Sequence, residues 1–189
     1  EEPVEVPAGT TVTYALQAGD AFTSGQKVNV IDPVSTGLAA TITYGFEGGN
    51  DFNAASANNY VSGFAAFTSG NGANGSATSG TTYIITPKYN GEITVGVCLN
   101  ANKAFYVLED EVALENYNGI TVDEKYYGTY SFNVKANSVY KVYCAGSKLG
   151  FYGFTFTTSA AEPDPEPQPE LPTKEVALKS GMFYNWNGY

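Results

Sequence analysis

Strict alternation of apolar and polar residues is what most limits the folds open to this chain. Over residues 92–99, Ile93, Val95, Val97 and Leu99 share one face, and over 129–134 Tyr130, Phe132 and Val134 do the same. A period of two belongs to strands with one buried face, because successive side chains point to opposite sides of a strand. The pattern recurs at 10–17 (Val12, Tyr14, Leu16), 39–46 (Ala40, Ile42, Tyr44, Phe46) and 139–144 (Tyr140, Val142, Cys144). Residues 27–31, 82–87, 104–108, 120–122 and 151–157 read as further strands, and no amphipathic helix stands out. Asn90-Gly91 predicts a type I′ hairpin between 82–87 and 92–99, since both residues accept positive φ. Asn118-Gly119 predicts a second turn ahead of Ile120. About ten short strands joined by Gly/Asn turns point to an all-β, antiparallel two-layer sandwich of jelly-roll type, with a closed barrel as the alternative.

Residues 162–172 read Glu-Pro-Asp-Pro-Glu-Pro-Gln-Pro-Glu-Leu-Pro. Proline at nearly every second position removes backbone donors and fixes φ, so this segment is expected to be an extended, solvated spacer. The expected organisation is an N-terminal extension at 1–8, the sandwich at 9–160, a linker at 161–173, and at 174–189 the truncated start of a following module, too short to fold alone. Within the sandwich, 47–80 breaks the alternation. It is rich in Gly, Asn, Ser and Ala, with Tyr60, Phe64 and Phe67 embedded. A stretch that long without periodicity is either functional or strung over the sheet as short irregular strands.

The formal charge of −10 gathers at the ends; between 8 and 160 there are eleven acids against seven lysines. All nine basic residues are lysine, with no arginine and no histidine. That argues against nucleic acid, which needs a basic footprint, and against strongly anionic polysaccharides. No apolar run reaches the length of a membrane span. The absence of histidine removes Ser-His-Asp and Cys-His catalysis and most zinc sites. Paired carboxylates remain as a catalytic route, because glycosidases need only two. The cluster Glu109-Asp110-Glu111 reads as a charged loop between strands, with structural calcium as a further reading; no cofactor is otherwise required. Cys98 and Cys144 fall on opposite sides of their strands' apolar faces, which disfavours a disulfide between them.

Binding is the better use of this composition. Fifteen Tyr and eleven Phe stand against one Trp, and sugar rings stack their C–H faces on aromatic rings while amides and carboxylates take their hydroxyls. Tyr14, Tyr44, Tyr130, Phe132, Tyr140, Phe154 and Phe156 alternate as core residues do. Tyr126 and Tyr127 are adjacent in a polar setting, so one of them is expected to face outward. Tyr117 and Asn118, together with Tyr60, Phe64 and Phe67, complete the candidate carbohydrate-binding set. No catalytic residue is assigned.

The run 138–157, Ser-Val-Tyr-Lys-Val-Tyr-Cys-Ala-Gly-Ser-Lys-Leu-Gly-Phe-Tyr-Gly-Phe-Thr-Phe-Thr, resembles the closing strands of β-sandwich modules attached to secreted plant-polysaccharide-degrading enzymes of gut and rumen bacteria. Pro87-Lys88-Tyr89-Asn90-Gly91-Glu92-Ile93-Thr94-Val95 and the run 99–107 are similar to segments of the same modules. The likeness covers roughly 81–158. It implies a jelly-roll carbohydrate-binding module, extracellular or cell-surface, whose partners are a plant cell-wall polysaccharide such as xylan, β-glucan, xyloglucan or glucomannan and a covalently linked catalytic domain. The matching residues are turn glycines and core aromatics, so the resemblance assigns no ligand contact. A structural spacer without a glycan site, or a small jelly-roll glycoside hydrolase, are the competing expectations.

Overall fold

The computed structural model describes residues 6–15, 21–22, 27–43, 50–51, 53–54, 61, 63–64, 66–67, 75–78, 80, 82–145 and 152–159. The linker expected at 161–173 and the segment 174–189 lie outside them. The strands are β1 (Thr11–Ala15), β2 (Ala21–Phe22), β3 (Lys27–Ile31), β4 (Leu38–Thr43), β5 (Asn50–Asp51), β6 (Asn53–Ala54), β7 (Ala66–Phe67), β8 (Thr82–Pro87), β9 (Gly91–Leu99), β10 (Ala104–Glu109), β11 (Val112–Ile120), β12 (Tyr126–Val134), β13 (Tyr140–Ala145) and β14 (Gly153–Thr158). A single helical turn, α1 (Pro33–Thr36), opens at a proline, whose missing N–H costs nothing at that position. No helix among the described residues is long and apolar enough to cross a membrane.

Two sheets form the sandwich, one of four strands ordered β1-β14-β9-β12 and one of six ordered β11-β10-β13-β8-β4-β3. Their ladders are antiparallel. From β8 onward the chain changes sheet at every connection except β10–β11, the switching expected of a jelly-roll-type sandwich. The inner faces follow the alternation. Ile93, Val95, Val97 and Leu99 are fully buried and meet Tyr83, Ile85, Phe105, Val107 and Val142 from the other sheet in one core. Phe132, Tyr140, Phe154 and Phe156 join them, as their spacing required, and Tyr14 and Tyr130 pack against the edge of this cluster. Each fully buried aliphatic or Phe side chain contributes about 1.5–3 kcal/mol.

The Asn90-Gly91 hairpin is not formed. β8 pairs with β4 and β13, β9 pairs with β14 and β12, and the connection between them crosses from sheet to sheet. Neither Asn90 nor Gly91 has positive φ. The glycine is needed for another reason: a Cβ there would sit 2.3 Å from the Thr157 carbonyl oxygen. Asn90 is used as a clip, its Oδ1 accepting the Ala136 N–H at 2.8 Å and its carbonyl accepting the Ser159 N–H at 2.8 Å. Turn preference is local, whereas the choice of partner strand is made by two buried faces.

The tight hairpin lies instead at Asp110-Glu111, where Glu109 pairs with Val112 and both loop residues are left-handed, at φ 47° and 71°. The acidic cluster is thus the interstrand loop that its sequence suggested. Its carboxylates diverge to separate partners: Glu109 to Lys135 at 3.1 Å and to the Tyr140 hydroxyl at 2.7 Å, Asp110 to the Val139 N–H at 2.8 Å, and Glu111 to Lys141.

The outer face of the four-stranded sheet carries a second, smaller cluster of Val61, Phe64, Cys98 and Tyr152. Gly96 makes room for it, since a Cβ there would lie 2.9 Å from the Phe64 ring. Cys98 belongs to this cluster and Cys144 to the main core, so the two free thiols lie on opposite sides of the sheet, as their strand positions indicated.

Two outcomes are expected. Left-handed conformation costs about 1–2 kcal/mol at a non-glycine residue, so changing Asp110-Glu111 to Asn-Gly raises the unfolding free energy by about 1 kcal/mol in urea titration. Burial pushes Tyr140 up to about 12 from its ordinary 10.0 and the Cys144 thiol up to about 12 from 9.0. These groups ionise at lower pH once unfolded, so their stabilisation is complete below about pH 9 and is lost as pH rises beyond it. In the opposite sense, the Tyr140 hydroxyl bond holds the Glu109 carboxyl below its ordinary value, and the Val139 N–H does so for Asp110. That stabilisation is lost as pH falls through the carboxylate range. With no histidine in the chain, urea midpoints stay flat from about pH 6 to 8 and fall on both sides.

Candidate functional site

β11 is the element that builds the site. Leu108 pairs with Ala113 and Tyr106 with Asn118, so Leu114, Glu115, Asn116 and Tyr117 together stand opposite Val107 alone. Extra residues on one strand bend it out of the ladder, and bulges of this kind re-aim side chains. Gly119, at φ +77°, is one more extra residue, since Tyr106 pairs with Asn118 and Phe105 with Ile120, and it lies beneath Tyr106, whose hydroxyl is 2.9 Å from where a Cβ would be. The expected Asn118-Gly119 turn is therefore the end of a bulge inside one long strand.

The bulge leans toward β12, the edge of the other sheet. Tyr117 turns its ring inward, with centroids 6.0 Å from Phe105, 5.8 Å from Tyr130 and 5.9 Å from Phe132. Its hydroxyl donates to the Ser131 carbonyl at 2.5 Å, a hydrogen bond from one sheet to the other. Partial burial and the nearby Glu92 carboxylate both raise the phenol's pKa, so it stays protonated and keeps donating.

Between the bulge and the four-stranded sheet lies a hollow of about 390 Å³, walled by Leu114, Glu115, Asn116 and Tyr117 on one side and Glu92, Ser131, Phe132 and Asn133 on the other. Glu92 and Asn133 are register partners across β9 and β12. Both project outward because their neighbours Ile93, Phe132 and Val134 are buried. They also line a second hollow of about 610 Å³, which continues past Asn90, Lys135 and Thr157 to Ser159. The two hollows thus adjoin at Glu92 and Asn133, and together they make up the groove. Among the described residues, Glu92, Glu115, Asn116 and Asn133 make no side-chain hydrogen bond or ion pair. The far rim is pinned: Thr158 Oγ1 accepts the Thr10 N–H at 3.0 Å and donates to the Pro7 carbonyl at 2.7 Å.

The groove opens onto a hydroxyl-bearing sheet face. Thr13, Thr155, Thr94 and Ser131 form one cross-strand row, and Thr11, Thr157, Glu92 and Asn133 the next. Neighbours within the rows are linked, Thr94 to Ser131 at 2.7 Å and Thr11 to Thr157 at 3.0 Å. Chemically the site offers carboxylate acceptors, primary amides and hydroxyls beside the edge of one aromatic ring.

Among the described residues, those singled out from the sequence do not assemble into one site. Tyr117 lines the groove. Asn118 is exposed but lies outside the groove, paired with Tyr106, which stacks on Tyr143 at 5.0 Å. Tyr126 and Tyr127 do take opposite faces of β12, yet each is half-buried. Tyr126 stacks on Tyr130 at 5.4 Å beside the main core, while Tyr127 packs on the second cluster with the Lys125 ammonium 5.0 Å from its ring centre. Phe64 is a correction: it is 3% exposed against Tyr152 and offers no face to a ligand. Tyr60 and the Phe67 side chain lie outside the described residues.

Sequence reasoning missed Glu92, Glu115, Asn116 and Asn133 as a set. Glu92 and Asn133 were legible as outward positions flanking inward ones, whereas Glu115 and Asn116 are brought in by a bulge that alternation does not encode. Among the described residues no three metal-ligating side chains gather. A scan against protein-family models finds no match to the chain, and a search of the curated proteins finds none either. The likeness over 81–158 therefore stands on its residues alone.

Proposed function

We propose that this chain is a non-catalytic carbohydrate-binding module, extracellular or at the cell surface, that holds a plant β-glycan for a covalently attached catalytic domain. What carries the reading is the convergence of four uncommitted polar side chains, Glu92, Glu115, Asn116 and Asn133, on one open groove beside Tyr117. Sugar hydroxyls are donors and acceptors at once, and carboxylates and amides are their natural complements. The groove's open shape suits a linear chain such as xylan, β-glucan, xyloglucan or glucomannan. Tyr117 supplies a half-buried ring rather than an open platform, so hydrogen bonding leads and stacking assists. Such a site gives micromolar to millimolar affinity. Tethering then raises the effective concentration of substrate at the neighbouring domain.

Affinity electrophoresis through gels holding each soluble polysaccharide tests the reading. At least one of the four glycans should retard the protein. Asn133→Ala or Asn116→Ala should weaken retention about tenfold, the loss of one or two good hydrogen bonds. A spacer domain would migrate unshifted in every gel. A second reading has one observation in its favour, since Glu92 and Glu115 are two carboxylates on one hollow. Reducing sugar released by the wild type and abolished in both Glu92→Gln and Glu115→Gln would make the protein a glycoside hydrolase instead.

A further inference from the structure

The groove's charge is lopsided, and this bears on which glycans it accepts. Two carboxylates, Glu92 and Glu115, line the smaller hollow, and neither has a cationic partner among the described residues. The ammonium at the other end, Lys135, lines the larger hollow and pairs with Glu109 at 3.1 Å. The chain has no arginine and no histidine to offset the acids. We infer that, within the glycan-binding reading on which this rests, the groove selects ligands by charge: it takes neutral or amine-bearing chains and rejects uronate-bearing ones, with Glu92 and Glu115 as the residues that enforce the choice.

The physical basis is short-range. An anionic group lodged in this hollow would lie within the Debye length of both carboxylates, about 10 Å at 0.1 M salt, and among the described residues no lysine lines that hollow. Like-charge juxtaposition is a strong means of rejecting a wrong partner. Glu92 occupies the junction of the two hollows, so a chain running through the groove must pass it. A protonated amine on the sugar would gain where a carboxylate loses.

Net charge alone would produce some of the same discrimination, so the test needs a matched control. Asp123 and Glu124 are exposed acids just before β12, where Tyr126 pairs with Leu99. That is the opposite end of β9 from Glu92, about 23 Å along the strand. Glu92→Gln/Glu115→Gln and Asp123→Asn/Glu124→Gln remove equal charge, one pair inside the groove and one outside it. All four positions are exposed, so both variants should fold, which thermal melts check.

Retention is measured on a neutral glucomannan, on polygalacturonate and on partly deacetylated chitosan oligomers, at about 10 mM and about 500 mM salt. For the wild type, neutral-chain retention should be insensitive to salt, chitosan binding should weaken at high salt, and polygalacturonate should not be held. The groove variant should raise the ratio of polygalacturonate to glucomannan retention on the order of tenfold at low salt, while the distant variant leaves it near the wild-type value. Equal behaviour of the two variants, or wild-type retention of polygalacturonate comparable with glucomannan, overturns the charge selection and leaves glycan binding standing. Failure of the wild type to retain any of the three, or xylan, β-glucan or xyloglucan, overturns both.

Discussion

β11 and β12 are the edges of different sheets, so along that side the sandwich is closed by side chains rather than by a ladder. The closure is aromatic. Tyr126 stacks on Tyr130, Tyr130 lies tilted against Phe105, and Tyr117 meets Phe105, Tyr130 and Phe132 edge-on, with centroid separations of 5.0–6.0 Å. Such pairs contribute about 0.5–1.5 kcal/mol each beyond the area they bury. The Tyr117 hydroxyl then reaches the backbone of the opposite sheet at Ser131. Because Tyr117 is anchored at both ring and hydroxyl, its bulge neighbours Glu115 and Asn116 are held at the groove instead of hanging from a loose loop. A site supported in this way keeps its polar groups in place before a ligand arrives, which lowers the ordering cost of binding.

The outer face of the four-stranded sheet is divided along its length by the same economy of packing. Toward Gly96 and Cys98 it is covered by Val61, Phe64 and Tyr152, and glycine at 96 lets the Phe64 ring approach the backbone. Toward Glu92 and Thr94 it bears the rows of Thr, Ser and Asn. The groove lies at this polar end. Apolar cover at one end and hydroxyl rows at the other give a single face two uses, and only the second leaves hydrogen-bonding groups open to a ligand.

The parts of the fold that were legible in the sequence are those fixed by the period of two. Ile93 through Leu99, Phe132 and Val134, and Tyr140 through Cys144 point where alternation puts them, because burial of one face overrides every local preference. The failures share one cause. Asn90-Gly91 and Asn118-Gly119 each report what a short backbone stretch tolerates, and neither reports which strands it joins. Asn90-Gly91 became a sheet crossing, Asn118-Gly119 the end of a bulge, and two acidic residues without a glycine made the tight hairpin. The site was half legible for the same reason. Tyr117 was identifiable as a ring among polar neighbours, but its companions Glu92 and Asn133 come from β9 and β12, and only the sandwich brings them to it. Phe64 was misjudged because the space that hides it is the missing side chain of Gly96, more than thirty positions away in sequence.

The proposed glycan site is the groove between the β11 bulge and the β9–β12 rim. Backbone amide shifts of the ¹⁵N-labelled protein, followed during titration with a soluble oligosaccharide of the retained glycan, test it most directly. Saturable shifts clustered at Glu92, Glu115, Asn116, Tyr117, Asn133 and Lys135, with Cys98, Tyr127 and Tyr152 unmoved, are the expected result. Shifts centred on Tyr127 and the second cluster, or no saturable shift at any of these positions, would contradict it.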